Sequence, residues 1–483
     1  MRRLVILVAL PAFAVAFWVA MRPTATAQKD SSPLAVVGDG KTNNTLAIRQ
    51  LLRRDGTVTF PRGVYRITEP IVIDLNASGP IAISAAGNAT LLMDGPGPAI
   101  RFVGTHLEGT AAPKTFKPGV WDKERTPTVT GLEIVGKHPD ADGIEAEGTF
   151  QLTLDRVTLR ELRHGVHLVK RNRNVLISAS HIYNNRGIGV LLDHVNLHQI
   201  NVSGSHISYC RQGGIVSVGG EVRNLQVSGC DIEGNMALDQ KPTANVLLDS
   251  TGGSIAEVAI TGCTLQHESP SPDSANVRIR GAGVGGLKNV PGKTKEGHVV
   301  ITGNVFSDVK VNVDVQHARG VTITGNTFWM GYEHNLRVEH SEHVVVGPND
   351  FQRNPRYDYG DATTTKNAIV FRDCADCTLT GLHVHNVKNV PAAVSLERCR
   401  RFNVVGCTIL DCQCDGMHLK DVTYSRVSDC LIQNDLPVDG KAYRSFVVEG
   451  GTGNLFANNL FGGGVEIPQE SGVSQGNLAN PPR

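Results

Sequence analysis

The phrase ITGNVF at 301–306 returns almost unchanged as ITGNTF at 323–328. Looser copies read VSGSHI at 202–207, VSGCDI at 227–232, ITGCTL at 260–265 and VVGCTI at 404–409. In each, a short apolar run enters a Gly, a small or polar residue follows, and a second apolar run begins. A self-similar period of about 22 to 25 residues is the mark of stacked coils, in which each repeat buries its apolar face on the next. A second kind of strand lies between the phrases: GVHL from Gly165, GIGVLLD from Gly187, GIVSV from Gly214, NVLLD from Asn245, NVRIR from Asn276, NVDVQ from Asn312, NLRVE from Asn335 and GMHLK from Gly416. Their alternation puts one side chain inside and the next outside. With two readable strands per repeat and no long helical period, the sequence specifies an all-β, single-stranded parallel β-helix. Asn304 and Asn326, one repeat apart, are expected to stack as a ladder of amides.

The 483 residues carry a net charge of +1, 52 Gly and only 5% aromatic residues. No global field points to nucleic acid or an anionic membrane. The chain opens with Arg2 and Arg3, an apolar run Leu4–Ala20 and the small-residue triplet Ala25-Thr26-Ala27. That is the layout of a signal peptide over 1–27, so a secreted or periplasmic location is expected, with no membrane contact after cleavage. An uncleaved anchor is the rival reading. Residues 28–56 are expected to form an N-terminal cap, with a short amphipathic helix over Asn44–Arg53. The β-helix is then expected over 57–467, about 65 Å of coils at 4.8 Å each, followed by a loose tail over 468–483. Loops at 105–128, 234–243, 267–275, 284–297, 350–366 and 434–443 interrupt the pattern, and stacked folds build binding surfaces on such loops.

Of the ten Cys, Cys230, Cys263, Cys407 and Cys430 follow the Gly of the phrase or its replacement, and Cys374 and Cys399 are one repeat apart. Interior stacks of thiols are the first expectation. Disulfides between adjacent coils remain open, since the coil spacing lies within their span. Cys374 and Cys377 form a CxxC without the helix or βαβ context of a redox or metal motif.

Residues 36–67 (VVGDGKTNNTLAIRQLL…GTVTFPRGVYRI) resemble the opening of polygalacturonases and related lyases and tailspikes, with Asp39-Gly40, Thr42, Thr45, Ala47-Ile48, Gly56, Phe60-Pro61, Gly63 and Tyr65 in order. With the repeats that follow, the chain resembles the pectate-lyase-like superfamily of right-handed β-helices. The resemblance implies a right-handed coil and an extracellular polysaccharide as partner. It does not fix the reaction, because the fold hosts hydrolases, lyases, epimerases and inert rods.

Candidate chemistry gathers where three second strands begin. Asp142, His164 and Arg186 precede Gly143, Gly165 and Gly187 at intervals of 22 residues, so a stack of the three is expected, with Glu145 and His167 beside them. Such a cluster can tune an imidazole for proton transfer and hold a sugar carboxylate on a guanidinium. In polygalacturonases the corresponding strand starts carry carboxylates and a His. Here Asp142 matches the first, Arg163-His164 stands where paired Asp residues are expected, Arg186 replaces the His, and an Arg-Ile-Lys motif is missing. Lyase or epimerase chemistry on a uronate fits better: His164 or His167 as base, Arg186 as carboxylate clamp, Asp142 as orienter. A hydrolase using Asp142 and Glu145 is an alternative, requiring a carboxyl separation of roughly 6.5–9.5 Å for inversion. A non-catalytic binding rod is the other. Calcium through Asp142 and Glu145 has fewer oxygen ligands than its usual cage, so no cofactor is expected.

A second stripe, Arg278, Arg280, Asp314, His334 and Arg337, reads either as a groove for an acidic glycan or as an ordinary ladder of ion pairs. Asp415 and His418 repeat the Asp142/Glu145 spacing on a single coil. His181 and His206, one coil apart, make a poor metal site by themselves.

Overall fold

The computed structural model describes residues 35–109, 112–239, 244–281, 296–436 and 443–479. The expected signal peptide at 1–27 lies outside these, as do parts of the loops at 234–243, 284–297 and 434–443. From Val36 the described chain is one compact unit, an all-β right-handed parallel β-helix.

The coil from Ile188 to Ser208 shows the construction. Strand Ile188–Ser203 bends at His194, whose φ is 45°. Its first half pairs in parallel with Val166–Val169 below and Ile215–Val218 above, and its second half pairs with 171–178 and 221–228. After Gly204, strand His206–Ser208 pairs with His181–Tyr183 and Asp231–Glu233. Each such coil therefore has three strands, not two. The repeated phrase is a corner: the end of one strand, a residue in the left-handed region, and the start of the next. Gly204, Gly229, Gly262, Gly303 and Gly325 hold φ between 53° and 68° there, a region in which a Cβ is penalised. Inward residues of this coil (Val190, Leu192, Leu197, Ile200, Val202, Ile207) are wholly buried.

The residue after the corner lies inside the coil and repeats in register through the stack. Strand by strand this column reads Ser180, Ser205, Cys230, Cys263, Asn304, Asn326, Asn349, Leu382, Cys407, Cys430, Asn459 and Asn477, each carbonyl before the last receiving the N–H that opens the next coil's strand. The side chains bond as well. Asn304 Nδ2 donates to Asn326 Oδ1 at 3.0 Å, and Asn326 Nδ2 to Asn349 Oδ1 at 3.0 Å. The expected amide ladder is present and one residue longer than read. Another runs through Asn245, Asn276, Asn312 and Asn335 with Nδ2–Oδ1 distances of 2.8 Å. A buried amide is costly without partners, and stacking gives it partners on both sides.

All ten Cys are unpaired and buried. Burial pushes the Cys210 thiol up to about 11 and Cys412 up to about 12, so these behave as small apolar side chains.

Both ends differ from the sequence reading. The helix runs Thr45–Asp55 and closes at Gly56, whose N–H donates to Leu52 O. It buries Ala47, Ile48 and Leu52 against strands Thr57–Phe60 and Ile71–Asp74, while Leu46 faces out. Ahead of it, strand Asp39–Asn43 pairs with Gly63–Ile67. At the other end the residues after Pro468 form a further turn of the coil. Gly472–Gln475 pairs with Asn454–Ala457, and Leu478–Ala479 with Leu460–Phe461. Gly476-Asn477 is one more copy of the corner, with Asn477 accepting from Asn459 at 2.9 Å.

Two outcomes test this core. In the native protein no Cys should react with an alkylating reagent, read by mass spectrometry, and all ten should react once it is unfolded. Asn326→Ala removes the acceptor shared by the Asn304 backbone N–H and Nδ2, leaving Nδ2 only Ile260 O, and is expected to cost about 2–3 kcal/mol in denaturant unfolding.

Candidate functional site

The outward face of the second-strand sheet carries columns of side chains, one rung per coil. One column reads Val72, Arg101, Glu145, His167, Leu191, Val216, Leu247, Arg278, Asp314, Arg337, Val370, Ser395 and His418. Glu145 and His167 of the first cluster and Arg278, Asp314 and Arg337 of the second thus lie on one column, separated by the apolar rungs Leu191, Val216 and Leu247.

In the first segment His167 lies between two carboxylates. Its Nε2 bonds Asp193 Oδ2 at 3.1 Å, and its Nδ1 is 3.6 Å from Glu145 Oε2, an ion-pair contact too long for a hydrogen bond. Glu145 also pairs with Arg101 Nε at 3.0 Å. Burial alone would lower the His167 pKa, but Glu145 and Asp193 together raise it above the usual value. His164, with its ring centroid 5.6 Å away, shifts the other way: burial depresses it to about 4. Ile188 N–H donates to His164 Nδ1 at 3.1 Å, so the neutral ring carries its proton on Nε2. In that tautomer His164 Nδ1 accepts from Ile188 and Nε2 is a donor.

Asp142 is 1% exposed. It accepts from Arg163 Nε and Nη2 at 2.9 and 2.5 Å and from the His164 backbone N–H at 3.0 Å. The same clamp recurs at Asp415, held by Arg444 at 3.1 and 2.5 Å. An Asp before the strand Gly, gripped by an Arg of the next coil, is a device of the stack. Asp142 positions His164 and presents no face to a substrate.

Arg186 corrects the sequence reading. The register pairs Val166 with Val190, an interval of 24 residues. Gly189, not Gly187, is therefore the partner of Gly165, and a Cβ on Gly165 would lie 2.6 Å from Gly189 O. Arg186 falls two residues off the rung. Its guanidinium instead caps the carbonyls of Glu161 at 2.6 Å, His138 at 2.7 Å and Pro139 at 3.1 Å. The cation nearest Asp142 and His164 in sequence and register is Arg163, which the sequence reading passed over. Asp142 and Glu145 are both committed to cations, so they do not fit a calcium site.

In the second segment Asp314 is wholly buried between two guanidiniums: Arg278 Nε at 2.8 Å, and Arg337 Nε and Nη2 at 2.9 and 3.0 Å. Burial would raise its pKa, but the two arginines more than offset this and hold it below the usual range. Arg278 is itself 1% exposed and reaches Asp273, its Nη2 donating to Asp273 O at 2.7 Å. Of the two readings offered, this geometry is the ion-pair ladder. Arg280 lies on the next column, in register with Asp249 and Gln316. His334, depressed to about 4 by burial and then by Arg337, leaves its Nδ1 without a hydrogen bond.

The ladder has a structural product. Through Asp273 it pins the loop 267–275, while Arg353, 5% exposed, donates to Ala362 O at 3.1 Å and to Thr365 O and pins the loop 350–366. Between these loops is a cleft of about 550 Å³. Trp329, Tyr332, Tyr357 and Tyr359 line it with Asp308 and Asp361. The Trp329 and Tyr357 rings are 4.3 Å apart between centroids. Burial raises the pKa of Asp308 and pushes Tyr332 up to about 12. The sequence reading named both loops but none of these residues. The signal available was the concentration of three aromatics, Trp329, Tyr357 and Tyr359, around one loop of an aromatic-poor chain.

A family described as "right handed beta helix region" matches residues 120–265. A second, described as "periplasmic copper-binding protein (NosD)", matches 271–477. Residues 120–265 thus match the right-handed β-helix region by sequence, and the described residues have that fold. No curated protein matches this β-helix by sequence. Among solved structures it is similar to a tailspike, protein 3 of bacteriophage CBA120 (16% identity, TM-score 0.44), covering 91% of this chain and 57% of that one. It is also similar to PfbA, a surface adhesin of Streptococcus pneumoniae (12%, 0.38; 88% and 90% covered), and to the A-module of the Azotobacter vinelandii mannuronan C-5 epimerase AlgE4 (12%, 0.36; 92% and 95%).

Copper sites use thiolate, thioether and imidazole donors. Among the described residues of 271–477 the Cys are buried, and the one group of three converging donors is Glu342, His343 and Asp376, with a single imidazole. Glu342 and Asp376 are moreover paired with Arg319 and Arg401. These residues do not fit a copper centre.

The opposed shifts of the two imidazoles give a pH test. By NMR, His164 should stay neutral down to about pH 4, and His167 should titrate above the usual value. The signs in stability are opposite. His164 is neutral folded and charged unfolded between about pH 4 and 6.5, so its contribution falls as pH drops through that window. His167 binds its proton more tightly folded, so its contribution is complete below about pH 6.5 and is lost as pH rises through the raised pKa.

Proposed function

We propose that the protein works outside the cytoplasm, binding a polysaccharide along the outward face of its second-strand sheet and acting on it by proton transfer. The aromatic cleft carries the first half of the reading. Aromatic faces pack against the C–H faces of pyranose rings, and carboxyl groups beside them take up hydroxyl hydrogen bonds, the usual mixture of a sugar site. Two arginine-pinned loops make the cleft preorganised, so little ordering is left to oppose binding. The fold's extracytoplasmic relatives and the N-terminal apolar run support the location.

The imidazole pair carries the second half. Two titratable groups pushed apart by their surroundings are how a site assigns acid and base roles. His167, whose pKa Glu145 and Asp193 raise against burial, is the base that removes the proton α to a uronate carboxylate. His164, neutral with its proton on Nε2, donates to the intermediate or to the leaving oxygen. Arg163 takes the place first given to Arg186: its Nε and Nη2 are spent on Asp142, and Nη1 makes no hydrogen bond among the described residues, leaving it for the sugar carboxylate. Elimination would make this a lyase, and reprotonation from the other face an epimerase. Paired carboxyls as in a hydrolase are less well served, because Asp142 is enclosed.

The test is a screen of purified protein on uronate polymers, reading ultraviolet absorbance for unsaturated product and NMR for inverted C5 centres. Turnover is expected, falling by on the order of 100-fold in His167→Ala. In the same protein Trp329→Ala should weaken polysaccharide binding about tenfold. Binding without product in either readout would leave a non-catalytic rod as the better account.

A further inference from the structure

The first sheet, on the opposite side of the corner from the column of the candidate site, carries its own outward rungs. His181, His206, Asp231 and Thr264 are successive partners in register, and Ser208, Glu233 and Gln266 form the column beside them. Asp231 and Glu233 flank the buried Ile232, so both carboxylates emerge on the face that His206 occupies one coil below.

The donor atoms converge. His206 Nε2 lies 3.2 Å from Asp231 Oδ2 and 3.5 Å from Glu233 Oε1, and all three lie within 4.8 Å of one another. These distances would suit hydrogen bonds, yet the alignment is absent: His206 Nε2 and Asp231 Oδ1 are buried atoms with no hydrogen-bond partner. Buried polar atoms without partners call for an explanation. A tetrahedron with bonds of about 2.0–2.1 Å has edges of about 3.3 Å, and both measured separations are close to that edge. One further contact orients the set. Gln266 Nε2 donates to Glu233 Oε2 at 3.0 Å, which turns Oε1 toward His206, as outer partners do around metal ligands.

We propose that His206, Asp231 and Glu233 form a binding site for a first-row divalent cation of the zinc type, with one imidazole and two carboxylates as ligands. Half-exposed Asp231 and His206 leave the outer position to water, so the ion has an open coordination position. The site lies outside the segment that matches the copper-binding family and does not depend on the proposed sugar chemistry. It also bridges two coils, and binding there ties them together.

Zinc chloride is the probe. Isothermal titration of the metal-stripped full chain should show one equivalent bound, and a hundredfold excess over the dissociation constant should raise Tm by about 3 °C or more. His206→Ala should abolish both effects. Glu233→Gln, a milder change that keeps the Gln266 contact, should weaken binding at least tenfold, and His343→Ala, which dismantles the other three-donor group, should leave it intact. Far-ultraviolet circular dichroism confirms that each variant is folded. The proposal is overturned if the parent protein takes up no zinc, or if His206→Ala and Glu233→Gln both bind it as the parent does.

Discussion

Everything in this chain depends on equivalent residues lying directly above one another at the coil spacing of about 4.8 Å. Backbone hydrogen bonds enforce that register, and it makes every side chain the neighbour of its own counterpart. For apolar residues the consequence is a continuous core. For buried polar residues it is a demand that the counterpart be able to bond in return, which Asn meets at both ends of its amide. The column from Ser180 to Asn477 shows the permitted substitutions: Ser, Cys and Asn, each small and each able to accept an N–H, with Leu382 as the interruption.

On the outer face the same register would place like charges together, and the sequence avoids this by alternation. Glu339, Arg372 and Glu397 alternate on one column with separations of 3.0 and 2.9 Å. Arg278, Asp314 and Arg337 do so on another, where the charges are almost completely enclosed. A buried pair recovers its desolvation cost only if its geometry is good and its remaining valences are filled, and Asp314 meets that condition with three donor contacts from the two arginines. The His167 group differs in kind. Its central residue is titratable near neutrality, its contacts are looser, and its neighbour His164 is tuned the opposite way. Saturated pairs build walls, whereas unsaturated ones can move protons.

Much of this was readable from residues alone. The corner phrase gave the coil, the Asn304–Asn326 ladder followed from its period, and the stacked thiols from the position of Cys230 and Cys263 within it. The misses share a physical cause. A one-dimensional period cannot tell which of two glycines, Gly187 or Gly189, meets Gly165, and so Arg186 was placed on a rung it does not occupy. The corner was read as a strand because the left-handed residue between its two halves is visible only as a Gly. The clamp of Arg163 on Asp142 and the aromatic cleft both depend on side chains reaching across coils or between loops. Sequence spacing carries no information about such reach. The last coil was overlooked for a simpler reason: Gly476-Asn477 stands among polar residues, where the apolar alternation fades.

Because each coil touches only its two neighbours, the chain can change length one coil at a time. Duplicating a coil among the apolar rungs Leu191, Val216 and Leu247 would add no new kind of contact. It would carry the imidazole pair and the aromatic cleft apart by one further spacing of about 4.8 Å, each intact. The separation of the two sites is in this sense an inherited count rather than a geometry that must be redesigned. A lineage could then change the spacing of the two sites by adding or losing whole turns.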